Sequence, residues 1–199
     1  MEYSEVIRRR RMVRDYTDQP LPAEVIEKVL ASALRAPSAG FSQGYAFLAL
    51  TEAGDRDRFW RHVPFMGSFA SMRKAPLIVV ALSNKSVYLD RYAEQDKGWS
   101  DRSEARWPVP YWDIDTGMAA LLMLLTAVDE ELGACFIGIE PADIPAFRAE
   151  FAVPEEFSPI GAVTVGYRAA GTPAQSSAVT RRRRDPAEVI HRGHWGRGG

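Results

Sequence analysis

Arginine is concentrated at the two ends of this 199-residue chain. Five arginines lie near the start and four near the end: Arg8, Arg9, Arg10, Arg11 and Arg14, and Arg181, Arg182, Arg183 and Arg184. The formal net charge of the whole chain is only −1, so the cations are clustered rather than spread over the surface. If the fold brings the two ends together, their guanidinium groups could bind a compact dianion such as a phosphate through forked hydrogen bonds.

A turn sequence, 36–43, lies between these clusters and reads Ala-Pro-Ser-Ala-Gly-Phe-Ser-Gln. Proline, serine and glycine favour turns in any protein, so one interpretation is a simple connector. The other is a loop that presents backbone groups, Ser38 and Gln43 to a flat polar ligand. The turn alone leaves both interpretations open.

Other common sites are disfavoured by their missing patterns. The sequence has no Gly-x-Gly-x-x-Gly turn between strand and helix, no P-loop and no Gly-x-Ser-x-Gly elbow. His191 and His194 have no third ligand nearby in the sequence, which argues against a metal site. The arginine runs lack interleaved aromatic residues and the charge is near neutral, so we expect no nucleic-acid partner. Each arginine run taken alone is also compatible with a solvated surface.

The composition predicts a globular protein with a packed core. Hydrophobic residues make up 46% of the chain, and the length suits one domain. Cys135 is the single cysteine and stands in an apolar run, so we predict a small buried residue and a reducing, cytoplasmic setting. The N-terminus lacks the apolar stretch of a signal peptide, and the run 118–125 is too short to span a bilayer, so no membrane contact is expected.

The periodicity predicts helices and strands in alternation around one sheet, of the α+β or α/β class. Helices are predicted over 3–11, 23–35, 52–63, 113–132 and 141–151, the last with Pro141 in its first turn, and strands over 46–50, 75–82, 134–139 and 159–167. The continuous apolar run 75–82 is typical of a central strand. The segment 84–111 shows no clean period, mixes charges with aromatic residues, and predicts a functional or mobile loop. Residues 168–180 predict an extended arm or linker.

The helix over 113–132 is apolar on nearly every side between Gly117 and Val128. Such a helix must be covered on all sides, and one sheet face cannot do this. We therefore predict a homodimer built partly on this helix.

Together these segments resemble the nitroreductase family of FMN-dependent oxidoreductases. The family pattern Arg-Arg-Ser-x-Arg-x-aromatic stands here as 10–16, and its Ala-Pro-Ser-x-x-Asn-x-Gln-Pro-Trp element as 36–45. Its Leu-Gly strand entry stands at 132–137, and its basic Arg-x-Pro tail at 184–186. The chain departs from the pattern at Met12 (serine in the family), Phe41 (asparagine), Gly44-Tyr45 (Pro-Trp), and around Gly138, where some members carry an acidic residue.

The resemblance implies an α+β, nitroreductase-like fold with a central, mostly antiparallel sheet flanked by helices, in an intertwined homodimer. It implies a single FMN-binding domain over 1–199, with 84–111 as a lid-like insertion and 168–199 as a C-terminal arm. The insertion is either a lid over the substrate or a contact with the partner subunit.

The resemblance also implies the cofactor site. It consists of Arg10, Arg11, Met12, Arg14, Pro37, Ser38, Ala39, Phe41, Gln43, Ile137, Gly138, Arg182 and Arg184. Arg10 would bind the phosphate with Arg182 and Arg184, and Arg11 would assist through its side chain or backbone. Arg14 would lie near the pyrimidine edge of the ring.

The remaining roles follow from the same resemblance. Ser38 and Ala39 would contact the ring or ribityl chain, across the dimer interface. Gln43 would hydrogen-bond ribityl or ring polar atoms, and the strand end at 136–138 would direct a backbone N–H toward N5.

The implied activity is hydride transfer from NADH or NADPH, followed by electron transfer to a nitroaromatic, a quinone or a similar conjugated acceptor in a ping-pong cycle. The cofactor carries this chemistry, so no catalytic side chain is predicted. The alternatives are a biosynthetic flavin dehydrogenase or reductive dehalogenase of the same fold, a flavin-binding protein without turnover, and an arginine-armed interaction protein. A deazaflavin in place of FMN also stays open.

Overall fold

The computed structural model describes residues 1–64, 70–170 and 181–196. Within these ranges the chain forms a four-stranded antiparallel sheet with helices on both faces. The strands are β1 (Tyr45–Leu50), β2 (Leu77–Ser83), β3 (Gly133–Ile137) and β4 (Ser158–Gly166). The helices are α1 (Tyr3–Arg9), α2 (Ala23–Ala33), α3 (Ala53–Trp60), α4 (Lys85–Ala93), α5 (Tyr111–Asp129), α6 (Ile144–Phe151) and α7 (Pro186–Val189). The predicted α+β fold with a mostly antiparallel sheet is confirmed.

The strand order is β1-β2-β4-β3. All seven residues of β2 are buried, which confirms that the apolar run 75–82 forms an inner strand. The register between β2 and β4 shifts at Ala81, opposite Gly161. Gly161 has φ +149°, and a Cβ there would lie 2.5 Å from the Phe136 ring, so this position requires glycine.

The core has two layers because side chains of a strand alternate between the faces of the sheet. Leu77 and Val79 of β2 belong to the cluster that contains residues of α2 and α5. Ile78 and Val80 belong to the cluster that contains Phe59, Trp60 and Phe147, from α3 and α6. Burying one such side chain fully is worth about 1.5–3 kcal/mol, so the sheet is held from both faces.

Among the residues that the structure describes, helix α5 is covered on one face only. By length and composition this helix could cross a membrane, since an 18-residue stretch of it has a mean hydropathy of 1.2. Half of that stretch is buried inside the protein. Ile114, Met118 and Leu121 are spaced to lie along one stripe and are 38%, 41% and 47% exposed. The sequence predicts that this helix is covered on every side, but along this stripe the described residues leave it exposed.

The prediction of a loop over 84–111 is wrong at its start. Residues Lys85–Ala93 form α4, and the Asn84 side chain caps it by accepting hydrogen bonds from the backbone N–H groups of Ser86 (2.9 Å) and Val87 (3.4 Å). An asparagine in extended conformation is a strong helix start signal. The helical period of α4 is not visible in the sequence because its aromatic residues pack against other aromatic rings instead of against the sheet.

The predicted bounds of the other helices also need correction. Helices α2, α3 and α5 each end two or three residues earlier than predicted, and α5 also begins two residues earlier. Pro141 precedes α6, which begins at Ile144 with Pro145 in its first turn. Helix α1 ends at Arg9, two residues earlier than predicted, because the chain continues along the sheet edge from Met12. Most of the predicted arm, 171–180, lies outside the described residues.

Candidate functional site

The N-terminal arginine segment runs beside β3. Met12 forms a parallel bridge with Ala134, and the Val13 N–H donates to the Ala134 carbonyl at 2.9 Å. A Cβ on Gly133 would lie only 2.7–3.1 Å from carbon atoms of the Val13 side chain, so the close approach of the two segments requires glycine at 133. The Leu-Gly pair at the start of β3 therefore gives the arginine motif at 10–14 room to pack beside the strand.

Tyr16 fixes the end of this segment in the core. Its ring is 1% exposed, and its hydroxyl donates to the Val13 carbonyl at 2.7 Å and lies 2.9 Å from the Thr164 hydroxyl. Burial raises the pKa of Tyr16 above its ordinary value, and the hydrogen bond to Thr164 opposes this rise only in part. The aromatic residue of the motif is thus a structural anchor for the arginines before it.

Arg10 stands at the end of α1, where its backbone N–H donates to the Val6 carbonyl. Its Nη1 atom is buried and has no hydrogen-bond partner within the described ranges. A buried guanidinium nitrogen without a partner is costly, because its hydration is lost and nothing replaces it. The atom is therefore suited to an anionic ligand.

The other residues of the motif differ in their availability. Arg11 directs its Nη1 to the carbonyls of Arg8 (2.8 Å) and Arg10 (2.9 Å), so its side chain caps the end of α1. Met12 is 36% exposed. Arg14 is half-buried and close enough to Cys135 for its charge to oppose the rise that burial causes in the pKa of that thiol.

Three N-terminal arginines share a surface pocket of about 340 Å³ with Arg168. The lining residues are Arg8, Arg9, Arg11, Val13, Val128, Glu131, Leu132, Gly133 and Arg168. Sequence reasoning missed Arg168, which follows β4 and comes to this pocket because Tyr16 bridges to it. Glu131 supplies one negative charge to a lining with four positive ones, so the pocket is basic.

The tail arginines are exposed. Arg184 contacts Glu188, with Nε 3.2 Å from a carboxylate oxygen and Nη2 3.2 Å from the carbonyl. The described hydrogen bonds and ion pairs do not link Arg182 or Arg184 to Arg10. The convergence of the two arginine clusters, in one chain or across two, therefore stays a prediction.

The loop 38–43 has a strained and well-connected backbone. Gly40, Phe41 and Gln43 have φ of +60°, +55° and +54°, a region that non-glycine residues seldom adopt. The turn is held by hydrogen bonds from the Phe41 N–H to the Ser38 carbonyl (2.9 Å) and from the Gln43 N–H to Ser38 Oγ (3.0 Å). Ser38 thus uses its side chain within the loop.

The predicted residues of this loop are accessible. Pro37, Phe41 and Gln43 are exposed, Phe41 by 73%, while Ser38 and Ala39 are half-buried. Gln43 places its Nε2 at 3.5 Å from the Phe41 carbonyl. An exposed apolar ring next to polar backbone groups is what a flat, partly polar ligand would contact.

Asp115 supports the loop from the first turns of α5. Its Oδ2 accepts hydrogen bonds from the Ala39 N–H (2.8 Å) and from the Tyr88 hydroxyl (2.9 Å), and the residue is 3% exposed. Burial raises the pKa of Tyr88, and the hydrogen bond to Asp115 raises it further. Sequence reasoning missed Asp115 as a residue of the site. The available signal was an acidic residue heading an otherwise apolar helix.

Helix α4 contacts the same loop. Arg91 donates from Nε to the Gly40 carbonyl at 3.0 Å, and a Cβ on Gly40 would lie 2.7 Å from the Tyr92 ring. Tyr92 packs on Trp99 and Trp107, with ring centroids 4.9 and 4.5 Å away. The aromatic cluster of the 84–111 segment is therefore continuous with the loop.

The last two predicted residues lie at the end of β3. Ile137 is buried and pairs with Ala162 of β4, whereas Gly138 follows the last paired residue and is exposed. A Cβ on Gly138 would meet no atom within 4 Å among the described residues. The backbone after Ile137 is therefore free of the sheet ladder.

Comparison with known proteins relates these features to a family. The family model described as the nitroreductase family matches residues 7–64 and 66–167. A relative from Methanothermobacter thermautotrophicus, provisionally named an NADH dehydrogenase/NAD(P)H nitroreductase, is 27% identical over 198 residues, which cover 98% of this chain and 88% of the relative.

Solved structures share the fold. A provisionally named NADH oxidase from Clostridium acetobutylicum is 25% identical, with a TM-score of 0.69 over 96% of this chain and 99% of that one. An FMN-dependent nitroreductase from Clostridium difficile R20291 is 22% identical, with a TM-score of 0.65 over 87% and 92% of the two chains. Because the family model covers most of the chain, including the arginine segment, the loop and β3, the chain is an oxidoreductase that belongs to the nitroreductase family.

Proposed function

We propose that the protein binds FMN and transfers electrons from NADH or NADPH to a small conjugated acceptor, such as a nitroaromatic or a quinone, in a ping-pong cycle. The observation that carries the proposal is the buried Nη1 of Arg10, which has no hydrogen-bond partner among the described residues and lies within the motif that the family uses. The family match and the FMN-dependent relative from Clostridium difficile support the choice of cofactor.

The described residues suit FMN in charge and in shape. Arg10 offers a desolvated donor to a phosphate, and charge-assisted hydrogen bonds of this kind are the strong ones. Phe41 offers an exposed ring to the isoalloxazine, and the Ser38–Gln43 loop offers polar backbone groups beside it. When bound, FMN supplies the hydride and electron chemistry, and the protein supplies binding, orientation and electrostatics.

Three other assignments are part of the proposal. Arg14 favours the negative charge that develops near the pyrimidine edge of the ring, since a fixed cation stabilises such a charge. Arg182 and Arg184 complete the phosphate site, contributed by the same chain or by a partner subunit. Arg11 takes part through its backbone, because its side chain already caps α1.

The proposal includes a homodimer in the cytoplasm, with 84–111 as a lid-like insertion and 168–199 as an arm of a single domain. The exposed stripe Ile114, Met118 and Leu121 on α5 supports the dimer. The buried Cys135, the one cysteine of the chain, supports a reducing compartment.

The test begins with the colour of the purified protein. A yellow protein that releases FMN on denaturation, and that bleaches rapidly with NADH or NADPH, separates the proposal from an interaction protein and from a flavin carrier without turnover. Product analysis over nitro compounds, quinones and halophenols separates it from a dehydrogenase or dehalogenase with a narrow substrate.

Arg10→Gln tests the site itself. The loss of one charge-assisted contact should weaken FMN binding about ten- to a hundredfold, measured by quenching of FMN fluorescence on titration with apoprotein. Arg9→Gln removes a neighbouring charge whose described contact is the Met1 sulfur at 3.7 Å, and it should change binding less than threefold on the same scale. Equal affinity in Arg10→Gln and the unmodified protein would refute the assignment.

A further inference from the structure

One carboxylate oxygen holds two different elements together. Asp115 Oδ2 accepts both the Ala39 N–H at 2.8 Å and the Tyr88 hydroxyl at 2.9 Å. The first donor belongs to the loop 38–43 and the second to α4. Since Asp115 itself is on α5, three segments distant in sequence meet at one atom.

Two of the three residues in this contact are buried away from water. Asp115 is 3% exposed and Tyr88 is fully buried. A polar group buried in this way is costly unless its partners satisfy it, so loss of the acceptor leaves the Tyr88 hydroxyl without this partner in the interior and releases the half-buried Ala39 N–H from the helix. The arrangement is therefore more sensitive to the Asp115 side chain than a surface contact would be.

The supported loop has little freedom to relax. Phe41 and Gln43 hold left-handed conformations that cost free energy and persist only where the surroundings impose them. Arg91 fixes the Gly40 carbonyl, and the Tyr92 ring closes the space beside Gly40. Asp115 holds the start of this turn through the Ala39 N–H. Ser38 and Ala39, at this start, are the residues that the family resemblance assigns to contact with the cofactor.

We propose that Asp115 is a positioning residue, which holds the Ser38–Gln43 loop in its ligand-binding conformation by accepting from Ala39 and Tyr88 at once. The consequence for FMN rests on the proposed function above. The consequence for the loop does not, because it is a property of the protein without ligand.

The variants follow from the shared oxygen. Asp115→Ala removes the acceptor. Asp115→Asn keeps an oxygen that can accept both donors at the same point, so it is the conservative variant. Thr116→Val is the matched control, because Thr116 is also fully buried on α5 but donates only to the Trp112 carbonyl of its own helix.

Amide hydrogen exchange of the apoprotein tests the loop directly. Asp115→Ala should speed exchange in the 39–44 peptides about tenfold or more, as expected for losing one buried hydrogen bond, while β2 and β4 peptides remain protected. Asp115→Asn and Thr116→Val should stay within about threefold of the unmodified protein. Unchanged exchange in Asp115→Ala, or equal acceleration in Thr116→Val, overturns the proposal.

FMN titration gives the second readout. Asp115→Ala should weaken binding about tenfold, and Asp115→Asn should restore it to within about threefold. If Asp115→Asn is as weak as Asp115→Ala, the shared-oxygen geometry is wrong. If neither the unmodified protein nor any variant binds FMN, the proposed function is refuted. The hydrogen-exchange result still decides the role of Asp115 in that case.

Discussion

At the scale of single residues, Gly44 is a position next to the Ser38–Gln43 loop where an added methyl group has no room. It precedes β1, and a Cβ there would lie 2.5 Å from the Tyr88 ring and 2.7 Å from the Asn84 carbonyl oxygen. The second contact is backbone, so a small side-chain movement cannot relieve it. We expect Gly44→Ala to lower the free energy of unfolding by about 1–3 kcal/mol, through overpacking. Urea denaturation followed by far-UV circular dichroism measures this.

Gly54→Ala is the matched control. Gly54 lies in α3, and an added Cβ meets no atom within 4 Å among the described residues. Replacing a helical glycine by alanine should raise the free energy of unfolding by about 0.5–1 kcal/mol. The argument from close approach fails if both variants shift stability in the same direction.

The identity of some site residues was available in the sequence, and that of others was not. The family motifs supplied Arg10 and the loop residues because those signals are local. Asp115, Tyr88 and Arg168 act through partners 76, 27 and 152 positions away. Such contacts depend on how the helices and strands pack in three dimensions, which the spacing of residues along the chain does not indicate.

At the scale of elements, the sequence predicted the strands better than the helix ends. The four strands follow from apolar runs of strand length, and each predicted range overlaps the observed one. Helix α4 was missed because its rings face a cluster of other rings, so no apolar stripe with a helical period is visible. Its start was marked by Asn84, a signal that did not depend on periodicity.

The uncovered stripe of α5 leads to a prediction about assembly. Leu121 is the C-terminal residue of this stripe and, at 47%, its most exposed one. If a second copy covers it, as we propose, Leu121→Glu places an unpaired charge in the interface, and the mass in solution should fall from that of two chains to that of one. Size-exclusion chromatography with light scattering measures the mass.

The control for this substitution lies on the other layer. Ala149 is exposed on α6, which packs on the opposite face of the sheet from α5. Ala149→Glu adds the same charge and should leave the mass unchanged. A Leu121→Glu protein that keeps the mass of two chains would place the interface elsewhere.

At the scale of the whole molecule, the family resemblance predicted the architecture, and the physical pattern explains it. A fully buried β2 needs helices on both sides, and α2 with α5 and α3 with α6 provide them. The position of the arginine tail could not be predicted in this way. It lies after the sheet in sequence, is exposed over 181–190, and lacks an apolar stripe that would fix it to the core.

The buried tyrosines should make the stability of the whole fold depend on pH in the alkaline range. Burial raises the pKa of Tyr16 above its ordinary value of 10.0, so above pH 10 the unfolded chain releases this proton while the folded chain keeps it. The unfolded state then binds fewer protons, and the free energy of unfolding falls as pH rises, by up to about 1.4 kcal/mol per pH unit for one such group. Tyr88, whose pKa is also raised, adds to the slope.

Tyr16→Phe separates this effect from general alkaline loss of structure. The variant loses the hydroxyl contacts with Val13 and Thr164, so we expect it to be less stable than the unmodified protein at pH 8 by about 1 kcal/mol. Between pH 10 and about pH 11.5 its stability should fall less steeply, because one of the two buried tyrosine protons is gone. Tyr3→Phe, at a ring that is 71% exposed, should follow the unmodified protein throughout. Urea denaturation at each pH measures these slopes, and parallel curves for Tyr16→Phe and the unmodified protein would show that Tyr16 does not carry the dependence.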